Sequence, residues 1–340
     1  MISFMNDYSE GAHPHVLELM MKSNLEQNIG YGNDHHSDRA KQYIKKEIGR
    51  EDVDIHFIPG GTQTNLLVIS SFLRPHQCVI AADTGHVNVH ETGAIEATGH
   101  KVVTVPHQEG KLTPASIRKA LRYHTDEHMV QPRMVYLSNT TELGTIYSKA
   151  ELTAIRELCQ RENLLLFLDG ARLGSALTCR RNDLSLEDIA KLVDVFYIGG
   201  TKNGALLGEA LVIGKEELKE DFRYLIKQRG AMMAKGFVIG MQFEALFENG
   251  LYYELGTHAN RMAEQLAKAL TDKGYPFYAP ICSNQLFPIL PEEDIQRLEE
   301  ECSFSIQERV DEKHSAIRLV TSWATTQSNI DHLIKVIREC

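Results

Sequence analysis

The six cysteines, Cys78, Cys159, Cys179, Cys282, Cys302 and Cys340, form no Cys-x-x-Cys pair, so neither a zinc knuckle nor a thioredoxin-like motif is indicated. A chain of 340 residues can bury a sizeable core without cross-links, and reduced thiols in a cytoplasmic protein are expected. No apolar run approaches the roughly 18 residues of a membrane-spanning helix. The opening MISFMNDYSEGAHPH lacks the basic and apolar regions of a secretory signal. There is no basic excess. The 36 Lys and Arg face 46 Asp and Glu, and a net charge of −10 argues against nucleic acid or an anionic membrane as a partner. Walker A and Gly-x-Gly-x-x-Gly patterns are both missing, which disfavours a P-loop nucleotide site and a nicotinamide dehydrogenase. His86 and His90 are four apart, but Val87 stands where His-Glu-x-x-His needs glutamate, so no metal is expected. His13/His15 and His35/His36 read as solvated or capping histidines.

What is present is an ordinary globular composition, 43% hydrophobic and 24% charged. Short apolar runs alternate with amphipathic stretches through most of the chain. DIHFI, CVIAA, KVVTVP, MVYLS, LLLFLD, DVFYIGG and EALVIG read as strands. TQTNLLVISSFL, PASIRKALRYH and SKAELTAIRELCQRE read as helices between them, and VNVHETGAIEATG as a short one. This alternation predicts an α/β protein with a mostly parallel sheet sandwiched by helices. Chemistry in such sheets gathers at the carboxyl ends of the strands. The pattern changes after about residue 250, where a long helix precedes mixed strands and helices. Residues 1–250 are therefore read as a large domain and 251–340 as a smaller α+β one.

Several segments can carry chemistry. In IPGGTQTN, Gly60 and Gly61 let backbone approach an anion, and the following helix N-terminus offers unpaired N–H groups. Thr62 and Gln63 add side-chain donors, although a plain strand–helix turn would also use these glycines. Asp169 ends an apolar strand, where a carboxylate needs a partner. Arg172 in Asp-Gly-Ala-Arg is one such partner, and keeping a heterocycle nitrogen protonated is the functional alternative. Lys202 follows Tyr-Ile-Gly-Gly-Thr at a strand end, where apolar or cationic surroundings would free its amine for Schiff-base chemistry. Arg318 lies in the apolar run AIRLVTSW and must find an anion, either a substrate carboxylate or an internal acid.

The order of these features is informative: a glycine cup, a ring-stacking candidate, Asp169, Lys202 about thirty residues on, then Arg318. With YGND (31–34), GGTQTN (60–65), DGAR (169–172) and IRLVT (317–321), the chain resembles the low-specificity threonine aldolase and β-eliminating lyase family. That family belongs to the pyridoxal-phosphate enzymes of the aspartate-aminotransferase-like fold. The resemblance runs from about Asn6 to about Trp323. It implies pyridoxal 5′-phosphate as cofactor and an amino acid as substrate. It implies that Gly60, Gly61 and Thr62 bind the cofactor phosphate and that His86 stacks on the ring. Asp169 would pair with the ring nitrogen, and Arg172 would reach cofactor and substrate carboxylate. Lys202 would hold the cofactor, with Thr201 beside it. Arg318 and Asn6 would bind the substrate carboxylate.

The resemblance further implies that Lys235 and Tyr31 serve a neighbouring subunit's site in a homotetramer, a dimer of dimers. Aldol cleavage of L-threonine or another β-hydroxy amino acid is the implied reaction. His86, a water or His90 would accept the hydroxyl proton. β-Elimination, with Lys202 as the Cα base, is the alternative, followed by transamination and by a catalytically inactive cofactor-binding protein. Two positions depart from the family pattern. Asn203 follows the lysine where relatives often have glycine. Thr141 stands where relatives often have a histidine that contacts the substrate hydroxyl.

Overall fold

The computed structural model describes residues 2–340. A short strand β1 (Ile2–Ser3) precedes the strands of the main sheet. These are β2 (Asp54–Ile58), β3 (Gln77–Ala82), β4 (Lys101–Val105), β5 (Gln131–Ser138), β6 (Leu165–Asp169), β7 (Val195–Gly199) and β8 (Glu209–Ile213). Their order in the sheet is β2-β8-β7-β6-β5-β3-β4. β8 pairs antiparallel with both β2 and β7, and the other pairings are parallel. The mostly parallel mixed sheet expected from the apolar runs is therefore present. Alternate residues feed two separate cores, as a period of two requires. Leu166, Leu168, Phe196 and Ile198 face one layer of helices, while Leu165, Phe167, Val195 and Tyr197 face the other.

The helices start where side chains can cap them. Ser148 and Glu151 form a reciprocal capping box at helix Lys149–Arg161, and Thr113 with Ser116 does the same for Pro114–Tyr123. The stretch after His86 differs from expectation. It forms only one helical turn, His86–Val89, then a turn with Gly93 at φ 71° and a 3-10 segment Glu96–Thr98. The helix Phe237–Phe247 carries no amphipathic period because it is buried on nearly every side.

The C-terminal part contributes β9 (Gln285–Leu286), β10 (Ile289–Pro291), β11 (Cys302–Ser303), β12 (Ser305–Arg309) and β13 (His314–Val320). β13 is flanked by β10 and β12, all antiparallel, and β9 extends the pairing. Their core also contains Phe4, because β1 pairs with β11 and the Val320 N–H donates to the Phe4 carbonyl. The chain's first residues thus lie against its last strands, close to the main sheet's edge of loops. The long helix Leu251–Asp272 packs Tyr252 and Leu255 into the first core and Met262, Leu266 and Leu270 into the C-terminal one. Among the described residues, no helix is long and apolar enough to cross a membrane.

Candidate active site

The carboxyl ends of the parallel strands and the amino end of β8 surround a cavity of about 320 Å³. β2 leads into Gly60, Gly61 and Thr62, β6 ends at Asp169, and β7 leads into Thr201 and Lys202; all line it. His86, Arg172, Tyr8, Asn65, Glu142 and Glu209 complete much of the wall. The close approach of β6 and β7 depends on Gly170, where any Cβ would collide with the Tyr197 carbonyl.

The helix Gly61–Phe72 begins at Gly60, whose backbone is extended and which supplies no side-chain cap. Its first N–H groups are therefore unclaimed at the cavity wall. Gly61 keeps that approach open, since a Cβ would sit tightly, 3.2 Å from the Tyr197 hydroxyl. Gln63, expected to donate here, points away and donates instead to the Arg229 carbonyl at 3.2 Å.

Asp169 is buried and collects four donors. Its Oδ1 accepts from Tyr197 Oη at 2.5 Å and the Ala171 N–H at 3.0 Å. Its Oδ2 accepts from Tyr136 Oη at 2.6 Å and Asn65 Nδ2 at 3.0 Å. Burial pushes the carboxyl up, but the nearby His86 ring and the tyrosine hydrogen bonds outweigh it and hold Asp169 below its ordinary value. Both tyrosines reach it because they project from the same face of the sheet into the same core as Phe167. An Asp169–Arg172 pair, one reading of Asp-Gly-Ala-Arg, is not formed. Arg172 lies beyond the Gly170 turn and donates from Nε and Nη2 to both oxygens of Asp7, at 2.7 and 3.0 Å.

Lys202 is half-buried, with its Nζ 5.8 Å from the centre of the Tyr8 ring. Burial and the like charge of Arg172 lower its pKa, against the pull of Asp7, Asp169 and Glu209. Among the described residues its amine makes no hydrogen bond, so it stands free in the cavity. Asn203 beside it donates to the Tyr252 carbonyl at 2.8 Å and ties the lysine's loop to the long helix. His86 opens its helical turn, and its Nδ1 lies 2.8 Å from Glu91 Oε1. The His90 ring is 5.4 Å from it, and burial with nearby cations lowers the His90 pKa. Thr141 is occupied by a 2.7 Å bond to Thr145 and offers no base.

Other expected residues stand outside the cavity wall. Arg318 projects from β13 and donates to the Met5 carbonyl at 3.1 Å, while its Nε has no partner. No ion pair to an internal acid forms for it among the described residues. Burial and the neighbouring Arg172 charge lower its pKa. The carbonyl oxygen of the Asn6 side chain accepts from Tyr8 N–H and Ser9 Oγ and shapes a turn that presents Asp7 and Tyr8. Tyr31 and Lys235 are not brought to this chain's own cavity; Tyr31 is 45% exposed, and its N–H donates to the Ala234 carbonyl. His36, expected to be solvated or capping, is buried, with its two ring nitrogens 2.6 Å from Glu244 and 2.9 Å from Glu26.

Four acids were missed: Asp7, Glu91, Glu142 and Glu209. Glu142 accepts from Ser138 Oγ at 2.7 Å and His86 N–H at 2.9 Å, and burial with the Asp169 charge raises its pKa. Glu209 opens an apolar strand in the way Asp169 closes one, and that signal was legible.

Residues 5–292 match the β-eliminating lyase family. The chain belongs to this family. The chain is also similar to a low-specificity L-threonine aldolase of a Pseudomonas species, 34% identical over 301 residues that cover 87% of this chain and 86% of the relative. A solved structure of Leishmania major threonine aldolase is 50% identical with a TM-score of 0.99, covering 100% of this chain and 99% of its own. A Thermus thermophilus aspartate aminotransferase variant, 15% identical with a TM-score of 0.75 and covering 100% of this chain and 91% of its own, shows the shared fold. Enzymes of this family and fold depend on pyridoxal phosphate. As a β-eliminating lyase family member, the chain is a pyridoxal-phosphate-dependent lyase.

Proposed function

We propose that this lyase cleaves L-threonine and related β-hydroxy amino acids to glycine and an aldehyde, with pyridoxal 5′-phosphate held on Lys202. The observation that carries the reading is the unbonded Lys202 amine in one cavity with an ionised Asp169 and an uncapped helix N-terminus. That donor set fits the cofactor. Gly60, Gly61 and Thr62 would hold its phosphate on free N–H groups, with Thr201 adding a hydroxyl. Asp169 would face the ring nitrogen and keep it protonated, and His86 would cover the ring. When bound, the cofactor supplies a conjugated electron sink for the bond broken at Cα.

The chain's own residues then fix the amino acid and move its proton. Arg318, whose Nε is unpartnered, takes the substrate carboxylate. Arg172 remains tied to Asp7 and adds positive charge beside it. Orientation at Cα decides which bond breaks. Glu91 Oε1 lies 2.8 Å from His86 Nδ1, which orients the ring and leaves Nε2 as its free nitrogen. His86 Nε2 takes the β-hydroxyl proton as the Cα–Cβ bond breaks and the aldehyde leaves; the bond's electron pair would pass to the cofactor's sink, and the proton returned to Cα to give glycine balances the one taken from the hydroxyl. Glu142, in the same wall, is the competing base.

We assign residues 1–250 to the cofactor-binding domain and 251–340 to a smaller one, and Tyr31 and Lys235 to the site of a neighbouring subunit in a homotetramer. A panel of threonine, allo-threonine and serine tests the reaction. Glycine and an aldehyde in equal amounts support it; a keto acid with ammonia would assign β-elimination instead. Solution mass and cofactor affinity of Lys235→Ala test the shared site, and unchanged affinity removes Lys235 from it.

A further inference from the structure

β8 is the one strand of the main sheet that runs against the rest, so it presents its amino end where the others present carboxyl ends. Glu209 is its first residue. It lies opposite Ile58 of β2 and Gly199 of β7, between the turn to Gly60 and the turn to Lys202. It is 4% exposed and lines the cavity beside Gly60, Gly61 and Thr62. An acid at this place is anomalous. An ionised carboxylate beside a phosphate cup sets two like charges together where little water screens them.

The hydrogen bonds around it suggest how the conflict is resolved. Glu209 Oε2 accepts from the Gly200 N–H at 3.1 Å, and its Oε1 lies 2.9 Å from Thr201 Oγ1. Thr201 Oγ1 also accepts from the Gly208 N–H at 3.0 Å. A hydroxyl has one proton to give and two acceptor positions. If Glu209 is ionised, Thr201 must spend its proton on Glu209. If Glu209 is neutral, its O–H fills the second acceptor position of Thr201, and the Thr201 proton is released into the cavity.

We propose that Glu209 works as a neutral acid at the phosphate end of the site, donating to Thr201 so that Thr201 donates to the cofactor phosphate, and that loss of the Glu209 proton weakens cofactor binding. This rests on the reading that pyridoxal phosphate occupies the cavity. The surrounding groups agree with it. Burial raises the Glu209 carboxyl to about 8, opposed by the Thr201 hydrogen bond and the Lys202 charge and reinforced by Asp169. The remaining titratable neighbours, Tyr197 and Tyr252, are phenols held well above their ordinary value by burial and stay neutral. A phosphate dianion in the cup favours the neutral acid further.

The test titrates the full-length apo-protein with pyridoxal phosphate and with pyridoxal, which lacks the phosphate, between pH 7 and pH 9. The absorbance of the bound ligand reports binding in both titrations. The phosphate's own second ionisation, at roughly pH 6, is nearly complete across this range. Titration of Lys202 affects both ligands alike, so the readout is the ratio of their dissociation constants. Because the neutral fraction of Glu209 falls from about 0.9 to about 0.1, the preference for the phosphorylated ligand should fall about tenfold. Glu209→Gln, whose amide donates at every pH, should keep that preference constant. A wild-type ratio that does not change with pH, or an unaltered tenfold fall in Glu209→Gln, overturns the proposal. Failure to bind pyridoxal phosphate at any pH would instead overturn the cofactor assignment to this cavity. If Glu209→Gln does not fold, the wild-type ratio still decides.

Discussion

Replacing Tyr136 by phenylalanine removes one oxygen from a place where four donors converge on a carboxylate. Tyr136 is 1% exposed and donates to Asp169 Oδ2 at 2.6 Å. Phenylalanine fills the same space, so no cavity opens and only the donor is lost. A weaker 3.3 Å bond from Ser138 Oγ to the phenol is lost with it. A hydrogen bond to a charged group is worth about 1.5–3 kcal/mol, and stability to urea at pH 7 should fall by that amount. The pH dependence has a definite sign. Asp169 lies below its ordinary value of 3.8 in the folded protein, so its contribution is present above that pH and is lost as pH falls through the lower folded value. The deficit of Tyr136→Phe should therefore be largest near neutrality and shrink below about pH 4. Turnover should fall as well, since Asp169 would hold its charge less firmly. A variant as stable as the wild type at pH 7, or one whose deficit widens in acid, would refute the view that the tyrosines hold Asp169 ionised.

Asp7→Ala should cost about 3–5 kcal/mol in denaturant melts, because it removes a buried carboxylate and leaves the largely enclosed Arg172 guanidinium without its bidentate partner. Arg318→Ala should raise KM for the amino acid by about 10- to 100-fold, the value of one charge-assisted contact, while cofactor affinity measured by absorbance stays close to wild type. Gly170→Ala should lower soluble yield and melting temperature, since its Cβ would collide with the Tyr197 carbonyl; a variant melting with the wild type would contradict that packing. His86→Asn should reduce kcat for aldol cleavage more than Glu142→Gln does, and the reverse order in steady-state kinetics would transfer the base role to Glu142.

The strands were readable because their apolar runs end at glycines or acids, as in LLLFLD and DVFYIGG. Capped amphipathic helices such as Lys149–Arg161 were equally plain. The helix Phe237–Phe247 had no period to read, because burial on all sides removes the polar face. At the site, the residues singled out from strand ends do meet in one cavity: Gly60, Gly61, Thr62, Asp169, Arg172, Thr201 and Lys202, with His86. Partnerships were less readable. Asp7 and Arg172 are 165 positions apart, and their pairing depends on β1 crossing to β11. Nothing local in NDYSEG announces that. The relation of Glu91 to His86 was hidden differently, because a turn rather than the expected continuous helix brings them within 2.8 Å.

The most direct test is chemical. Borohydride reduction of the cofactor-loaded protein, followed by peptide mapping, should place one pyridoxyl group on Lys202 and none on another lysine. Lys202→Ala should remain folded, because the amine it loses makes no hydrogen bond, and should carry no reducible label. A pyridoxyl group on a different lysine, or an unlabelled wild-type chain after incubation with pyridoxal phosphate, would contradict the account at its centre.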